Sequence, residues 1–287
     1  MDVRTTDATM KSAAIAFAER LHNAPDQRLA LLICEFLRGF ADLADRTDMS
    51  RAELKALIGF LTEVGETCSE RRQEWVLLAD VLGLTSAFER RDAQLPESAT
   101  PNTLAGPFYR PGAPRRADRE SICLDGKGTP LVFTAQLTNC DGKPVPSARI
   151  EVWHANGDGV YENQAPDVQP EFNLRGTFTS GPDGSVRIAT VRPRGYRIPD
   201  DGPVGRLLRR LGLPTVRPAH LQFRISASGY QTLITHVFDR SDSAIGADPL
   251  FAEDPALLAD FDGSKDGGFA CHFTFTLAKE QLHHQQT

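Results

Sequence analysis

The first hundred residues carry apolar side chains at the spacing of amphipathic helices. Over residues 29–43 apolar positions recur every three or four residues, which predicts one helix with a single buried stripe. A second helix is predicted after Ser50, where Glu53 completes a capping box. Another amphipathic stretch precedes Leu21, and a further helix is predicted over roughly 70–84. The buried residues of that last helix are expected to be Trp75, Leu78, Ala79 and Leu82.

The period of the pattern changes after a segment rich in proline and glycine, residues 96–114, which we interpret as a linker. Beyond it apolar and polar residues alternate, which predicts short strands. These strands are 131–138, 148–154, 177–179, 186–190, 219–227, 232–239 and 271–277. The turn Asp141-Gly142 predicts that the first two strands form a hairpin. We therefore predict an α+β protein: a helical domain over 1–100 with a linker to about 115, followed by a β-sandwich over 116–287.

Charge and composition narrow the functional classes. The chain has 287 residues and a formal net charge of −6, so it lacks the basic footprint of a nucleic-acid-binding protein. No run of 18 apolar residues is present, which argues against a membrane span. Five cysteines, an odd and scattered set, are typical of a reducing compartment. We expect a cytoplasmic protein.

Three of the four tyrosines, Tyr109, Tyr161 and Tyr196, lie in turn-rich segments. On the strand that begins near residue 219, alternation places His220 and Gln222 on the face opposite to the apolar core. Taken singly, a tyrosine in a loop is usually a packing residue, and a lone histidine on a strand is usually structural. These residues alone leave a functional role open.

The order of several short segments does carry a resemblance. The chain resembles the intradiol ring-cleavage dioxygenases of the catechol and hydroxyquinol 1,2-dioxygenase type. The segments are 72–84 (RQEWVLLADVLGL), 106–109 (GPFY), 152–161, which begins VWHAN and ends in Tyr, 195–199 (GYRIP), 201–205 (DGPVG) and 217–220 (RPAH). Each is weak alone, whereas the ordered set is specific. The resemblance implies a helical domain that forms a homodimer interface, with lipid in that interface, and a β-sandwich that holds a non-haem Fe(III).

The resemblance also implies functional residues. The family binds iron through two tyrosines and two histidines, and Tyr161, Tyr196 and His220 match three of these positions. Phenolate oxygen is a hard anionic donor that suits Fe(III). The implied reaction is O₂-dependent cleavage of a catechol-type ring to a cis,cis-muconate-type product. Tyr196 would accept a substrate proton, and Arg217 would stabilise negative charge on the bound ring.

The sequence departs from the family at the fourth ligand. Gln222 stands where the family has its second histidine, and His236 stands on the next strand where the family usually has glutamine. A hairpin centred on Gly229 would pair positions that sum to 458, which sets these two residues opposite each other. Three alternatives remain open: His236 is the fourth ligand or orients the site, Gln222 binds through its amide oxygen, or the site no longer holds iron.

Further residues are implied to line the substrate pocket: Leu104, Pro107, Phe108 and Cys271, with Phe269 a weaker candidate. The segment 201–205 favours hydroxyquinol or a substituted catechol as substrate. Two alternatives belong to other functional classes. One is a non-catalytic binding protein that keeps the sandwich as a ligand pocket, and the other is a site that holds another metal such as zinc.

Overall fold

The computed structural model describes residues 7–70, 72–264 and 267–280, with side chains described from residue 14 onward. It divides into two compact units, Met1–Glu66 and Thr67–Thr287. Composition alone suggests a boundary near residue 100, whereas the division by contacts falls at residue 66. Within the described part of the chain, no helix is long and apolar enough to span a membrane.

The described residues of the first unit form three helices, α1 (Asp7–Arg20), α2 (Gln27–Arg46) and α3 (Arg51–Thr67), which confirms the predicted helices. The stripe predicted to be buried over 29–43 is wrong for the single chain, because most of its large apolar side chains are exposed. The predicted capping box is present. The Ser50 backbone N–H donates to Glu53 Oε2 at 2.8 Å, and the Glu53 N–H donates to Ser50 Oγ at 3.2 Å. Two of the orphaned donors at the start of α3 are thereby satisfied, which explains why the helix begins there.

The helix predicted over 70–84 is two helices, α4 (Glu74–Val81) and α5 (Leu84–Ala93), separated by Gly83 in the left-handed region. The predicted buried face is partly wrong. Leu78 is buried, but Trp75 and Leu82 are 46% and 55% exposed. The buried carboxylate of Glu74 explains the rotation, because it turns inward to accept the Val204 backbone N–H and to pair with Arg72.

The second unit contains two sheets, which confirms the predicted β-sandwich. The four-stranded sheet has the order β10-β11-β1-β4, the five-stranded sheet has the order β3-β2-β7-β8-β9, and β5 pairs with β6 separately. The strands are β1 (Pro130–Asn139), β2 (Arg149–Trp153), β3 (Arg175–Thr179), β4 (Ser185–Val191), β5 (Tyr196–Arg197), β6 (Val216–Arg217), β7 (His220–Ser226), β8 (Leu233–Asp239), β9 (Leu258–Ala259), β10 (Asp262–Gly263) and β11 (Phe269–Leu277). Phe223 of β7 lies 5.0 Å from Phe133 and 4.9 Å from Phe275, ring centroid to ring centroid. These contacts join the two sheets into one core.

Two features of the sandwich differ from the sequence prediction. The hairpin between β1 and β2 is wrong, because the strands belong to different sheets. A tight turn does form, in which the Val145 N–H donates to Leu137 O at 3.0 Å, but it folds back on β1 itself. The chain then crosses to the other sheet, where β2 pairs with β3 and β7. A short helix, α6 (Pro203–Leu211), also lies between β5 and β6, where none was predicted.

The register of β7 and β8 matters most for the site. The strands pair antiparallel, with Gln222 opposite His236 and His220 opposite Phe238. The cross-strand pair predicted from the numbering is therefore confirmed. Both faces of β7 are buried at its start, so the polar side chains of His220 and Gln222 point into the protein rather than to solvent.

Candidate metal centre

Five side chains predicted as candidate metal ligands converge in one buried cluster, which we call the ligand cluster: Tyr161, Tyr196, His220, Gln222 and His236. Each is at most 9% exposed. The ring centroids of Tyr161 and Tyr196 lie 5.5 Å apart, those of Tyr196 and His220 lie 5.6 Å apart, and those of His220 and His236 lie 4.8 Å apart. The residues come from four separate segments of the chain, so only the folded sandwich brings them together.

Short elements outside the main strands position the two tyrosines. Tyr161 precedes a single 3₁₀ turn, and its backbone N–H donates to Gln164 Oε1 at 2.9 Å. Tyr196 begins β5 and pairs directly with Arg217 of β6. A Cβ at Gly195 would lie 2.5 Å from the Arg217 carbonyl oxygen, so the backbones approach more closely there than any side chain permits. Glycine before Tyr196 is thus required by the close approach of β5 to β6.

His220 presents one ring nitrogen with no partner. Its Nδ1 lies 2.7 Å from the Pro218 carbonyl oxygen, which can only accept, so Nδ1 carries the proton. Nε2 is buried and has no hydrogen-bond partner among the described residues. By contrast, both ring nitrogens of the buried His154 are engaged, with the Ala155 carbonyl and Thr190 Oγ1. A buried imidazole nitrogen without a partner, in a cluster that also contains two phenols, is the arrangement expected of a metal ligand.

Burial sets the protonation states of the cluster. Burial, followed by the proximity of Tyr196, raises the pKa of Tyr161 well above its ordinary value. Burial and the charge of Arg217 lower the pKa of His220 to about 3. Without a cation the site therefore favours a neutral phenol and a neutral imidazole. A bound cation reverses the balance for the phenol, since it stabilises the phenolate directly.

Arg217 supplies a fixed positive charge beside the cluster. Its Nε and Nη2 donate to the two carboxylate oxygens of Asp248, each at 3.0 Å, and its Nη1 donates to the Tyr196 hydroxyl at 3.3 Å. Burial alone would lower the pKa of Arg217, but the negative charge of Asp248, together with the contact with Tyr196, raises it above its ordinary value. Both partners of the pair are at most 1% exposed, so the guanidinium remains charged and cannot swing away.

The predicted pocket residues differ in their burial and in their contacts with the ligand cluster. Phe108 stacks on Tyr161 with ring centroids 4.2 Å apart and meets Tyr196 edge-on at 5.8 Å. Leu104 is buried, whereas Pro107 is exposed. Cys271 is buried on β11 of the four-stranded sheet, where burial and the charges of Asp239, Asp260 and Asp262 raise its pKa to about 12. No hydrogen bond among the described residues joins Cys271 to the ligand cluster, and Phe269 lies under the Arg192 guanidinium.

The sequence interpretation missed several residues that support the site. Asp248, which holds Arg217, lies in an irregular loop without any periodic signal. Thr103 hydrogen-bonds the His236 ring through its side chain, and Ala105 accepts from Gln222 through its carbonyl. Asp80 on α4 is buried, and its Oδ1 has no partner among the described residues. Asp80 lies inside the matched segment 72–84 and residues 103–105 lie next to the GPFY segment, so the sequence could have suggested part of this set.

The donor atoms fit a hard cation. Two phenol oxygens, an imidazole nitrogen and an amide oxygen are donors that suit a ferric ion better than a soft metal. The described residues contain no group of three or more His, Cys, Asp and Glu side chains that could hold a metal.

Comparison with known proteins gives the same picture. The family model described as dioxygenase matches residues 104–279, and the model described as catechol dioxygenase N terminus matches residues 26–100. The hydroxyquinol 1,2-dioxygenase of Rhizobium sp. (strain MTP-10005) is 40% identical over 93% of this chain and 92% of its own length. The 6-chlorohydroxyquinol 1,2-dioxygenase of Cupriavidus pinatubonensis is 38% identical over 91% of this chain and 95% of its own length.

Solved structures agree with this assignment. A hydroxyquinol 1,2-dioxygenase from Pseudomonas putida DLL-E4 superposes with a TM-score of 0.90 at 30% identity, covering 95% of this chain and 99% of its own. The catechol 1,2-dioxygenase of Pseudomonas arvilla C-1 superposes with a TM-score of 0.79 at 27% identity, covering 96% of this chain and 94% of its own. From the ordered motifs, the ligand cluster and these likenesses together, the chain belongs to the intradiol ring-cleavage dioxygenases, enzymes of the hydroxyquinol and catechol 1,2-dioxygenase family.

Proposed function

We propose that this chain is a ferric enzyme that opens the ring of hydroxyquinol, or of a closely related trihydroxylated or substituted catechol, with O₂. The observation that carries the proposal is the ligand cluster, in which the buried His220 Nε2 has no partner among the described residues and two buried tyrosines belong to the same cluster. The relatives at 40% and 38% identity are named for hydroxyquinol and 6-chlorohydroxyquinol, which supports the substrate class.

Tyr161, Tyr196 and His220 would hold the iron, with a fourth protein donor from the Gln222–His236 pair. When bound, ferric iron supplies a Lewis acid that withdraws electron density from a catecholate and prepares its ring to react with O₂. The two phenolates neutralise most of the ferric charge, and this donor set favours the ferric over the ferrous state.

The remaining chemistry belongs to the side chains around the cluster. Tyr196 Oη, which accepts a hydrogen bond from Arg217, would as a phenolate take a proton from a substrate hydroxyl and become a neutral phenol. The guanidinium of Arg217 stabilises the negative charge that results, at no cost in reorganisation because Asp248 already fixes it. Phe108, stacked on Tyr161, covers the cluster with an apolar ring and helps to exclude water.

Asp80 supports a substrate with a third hydroxyl group. Burial raises the pKa of its carboxyl, while a hydrogen bond from Thr85 and the charge of Arg217 act against that rise. Because Oδ1 has no partner among the described residues, it can accept a hydrogen bond from a ring hydroxyl that catechol lacks. Asp80→Asn is expected to reduce kcat/KM for hydroxyquinol by about 10-fold or more and to change that for catechol much less.

The proposal extends to the assembly and its compartment. Helix α2 exposes a row of large apolar residues, among them Phe36 at 67% exposure, which a second copy of the chain would cover. We propose a homodimer formed through such helices, with lipid in the apolar interface, and a cytoplasmic location consistent with an odd number of scattered cysteines.

The visible spectrum of purified protein with a measured iron content tests the proposal. Phenolate ligation predicts a broad tyrosinate-to-iron band, and hydroxyquinol added without O₂ is expected to shift it. Comparing hydroxyquinol, catechol and a chlorocatechol in steady-state turnover then ranks the substrates. A colourless protein that cannot be reconstituted with iron would refute the ferric site. A zinc-loaded or metal-free protein that still binds the diol would favour the alternative-metal or binding-protein class.

A further inference from the structure

The structure distinguishes the roles of the two exchanged residues, Gln222 and His236, which the family pattern leaves open. They face each other across β7 and β8, and both are at most 1% exposed. Each has few rotational alternatives because its polar atoms are engaged by partners of fixed chemical character. The donors and acceptors around the pair therefore determine which atom is left for a metal.

The orientation of the Gln222 amide is fixed by a backbone group. Its Nε2 donates to the Ala105 carbonyl oxygen at 3.1 Å, and a carbonyl oxygen cannot donate in return. If the amide were reversed, two oxygens would face each other in a buried site, which is strongly unfavourable. The amide oxygen must therefore point the other way, toward the Tyr161 hydroxyl, which lies 3.3 Å from Oε1.

The protonation of His236 follows from its neighbours. Its Nε2 lies 3.0 Å from Gln222 Nε2 and 3.4 Å from Arg217 Nη2, and both of these atoms are donors. Nε2 must therefore be the unprotonated acceptor, and Nδ1–H donates to Thr103 Oγ1 at 2.5 Å. Both ring nitrogens of His236 are occupied, whereas Nε2 of His220 has no partner among the described residues.

We propose that Gln222 supplies the fourth protein ligand through its amide oxygen and that His236 is a positioning residue that holds the amide in place. Two oxygen ligands of one metal, each about 2 Å from it, lie about 3 Å apart, close to the separation of Tyr161 Oη and Gln222 Oε1. The hydrogen bond from Gln222 Nε2–H to His236 also polarises the amide and makes its oxygen a better donor.

The exchange thus moves a histidine from the metal to the layer behind it without leaving either side chain unpaired. An amide oxygen is neutral, like an imidazole, so the charge of the donor set does not change. It is a harder donor than imidazole, which suits the ferric state. The inference rests on the proposed iron site and concerns only which atom completes it.

Variants of both residues test the assignment through iron binding rather than turnover. Gln222→Leu removes the amide oxygen and is expected to weaken iron binding by at least 100-fold. Gln222→Glu keeps an oxygen donor, so it should retain iron while shifting the tyrosinate-to-iron band. His236→Leu is expected to weaken binding by about 10- to 100-fold, as for loss of an orienting partner, and His236→Gln, which keeps an acceptor, should restore much of it. Chelator competition gives each affinity.

Two controls protect the interpretation. Gln136→Leu makes the same change on β1, where the Gln136 amide donates to the exposed Asp183 carbonyl, and it should leave iron affinity and spectrum unchanged. Near-ultraviolet circular dichroism and thermal unfolding of each iron-free variant establish that it folds.

X-ray absorption of the wild-type holoenzyme counts imidazole ligands directly, and the proposal predicts one.

The outcomes separate the hypotheses. Two imidazoles, or iron lost from both His236 variants but retained by Gln222→Leu, would make His236 the ligand and overturn the assignment. Unchanged affinity in all four variants would also overturn it, since neither residue would then complete the site. A wild-type protein that binds no iron would instead refute the ferric site itself, and that result is seen before any variant is made.

Discussion

At the scale of single residues, three buried histidines show that hydrogen-bond partners determine whether a ring nitrogen is free to bind a metal. His154 has both nitrogens satisfied, and His236 is held between Thr103 and two donors. Of the three, only His220 has a ring nitrogen, Nε2, without a hydrogen-bond partner among the described residues. All three are equally buried, so burial does not distinguish a ligand from a structural residue. The difference lies in whether each nitrogen faces a donor, an acceptor or no partner.

The first prediction concerns the pH dependence of stability through His154, whose pKa burial lowers to about 4. The unfolded imidazole titrates near 6.5, so between pH 6.5 and 4 the unfolded state binds more protons and stability falls as the pH falls. The full effect of this residue is about 3 kcal/mol. In urea unfolding from pH 7 to 4.5, His154→Gln is expected to flatten the curve, whereas the control His272→Gln, at an exposed position on β11, should not.

The second prediction concerns the buried pair of Arg217 and Asp248. Asp248→Asn leaves the guanidinium buried with its charge unpaired, so we expect a loss of about 3–5 kcal/mol in the free energy of unfolding. Turnover should fall as well, because the guanidinium beside Tyr196 is no longer fixed. Asp260→Asn breaks the exposed pair with Arg240 and should cost under about 1 kcal/mol. Similar small losses in both variants, measured by urea unfolding, would contradict this account.

At the scale of elements, the site depends on the shortest strands of the fold. The two-residue strands β5 and β6 carry Tyr196 and Arg217 as directly paired residues. Their separation is set by the backbone contact at Gly195 rather than by side-chain packing. A short ladder of this kind places a ligand and a cation side by side with little freedom, which preorganises the site.

The third prediction tests that ladder. Gly195→Ala would bring a methyl group within 2.5 Å of the Arg217 carbonyl oxygen, so β5 and β6 must separate. We expect kcat/KM to fall by about 100-fold, the loss that a shift near 1 Å produces, along with a changed tyrosinate-to-iron band. Gly59→Ala is the matched control, because nothing lies within 4 Å of the new methyl group on α3. Its activity should be unchanged, and α3 should gain up to about 1 kcal/mol.

At the scale of the whole molecule, the first unit has an unusual surface. The fully buried residues of helix α2 are alanines, Ala30, Ala41 and Ala44, while six of its large apolar side chains remain exposed in the single chain. The exposed set is Leu29, Leu31, Leu32, Ile33, Phe36 and Leu43. A continuous apolar row of this size on a monomer marks an interaction surface.

The fourth prediction follows from this surface. If a second copy covers α2, the double substitution Leu32→Glu with Phe36→Glu should convert a dimer to a monomer, because carboxylates cannot be buried in an apolar interface. Sedimentation velocity measures the change. Lys55→Gln, at an exposed position on α3, is the control and should leave the dimer intact. A wild-type monomer at micromolar concentration would contradict the proposed assembly.

Much of the site follows from the sequence because ordered motifs and strand alternation are local signals. Tyr161, Tyr196, His220 and Arg217 all sit in short matched segments, and the pairing of Gln222 with His236 follows from a hairpin of known centre. The incorrect prediction of a hairpin between β1 and β2 shows the limit of such local signals. A turn signal reports that the chain reverses, but it does not report whether the next strand stays in the same sheet.

The sequence by itself determined the secondary-structure classes, the sandwich and most of the candidate ligands, because periodicity and short motifs depend on neighbouring residues. Tertiary structure alone decided what surrounds each polar atom: Asp248 on Arg217, Ala105 on the Gln222 amide and Thr103 on His236. These partners lie 31, 117 and 133 residues away along the chain. Contacts at such separations leave no local pattern, and they determine which atom remains for the metal.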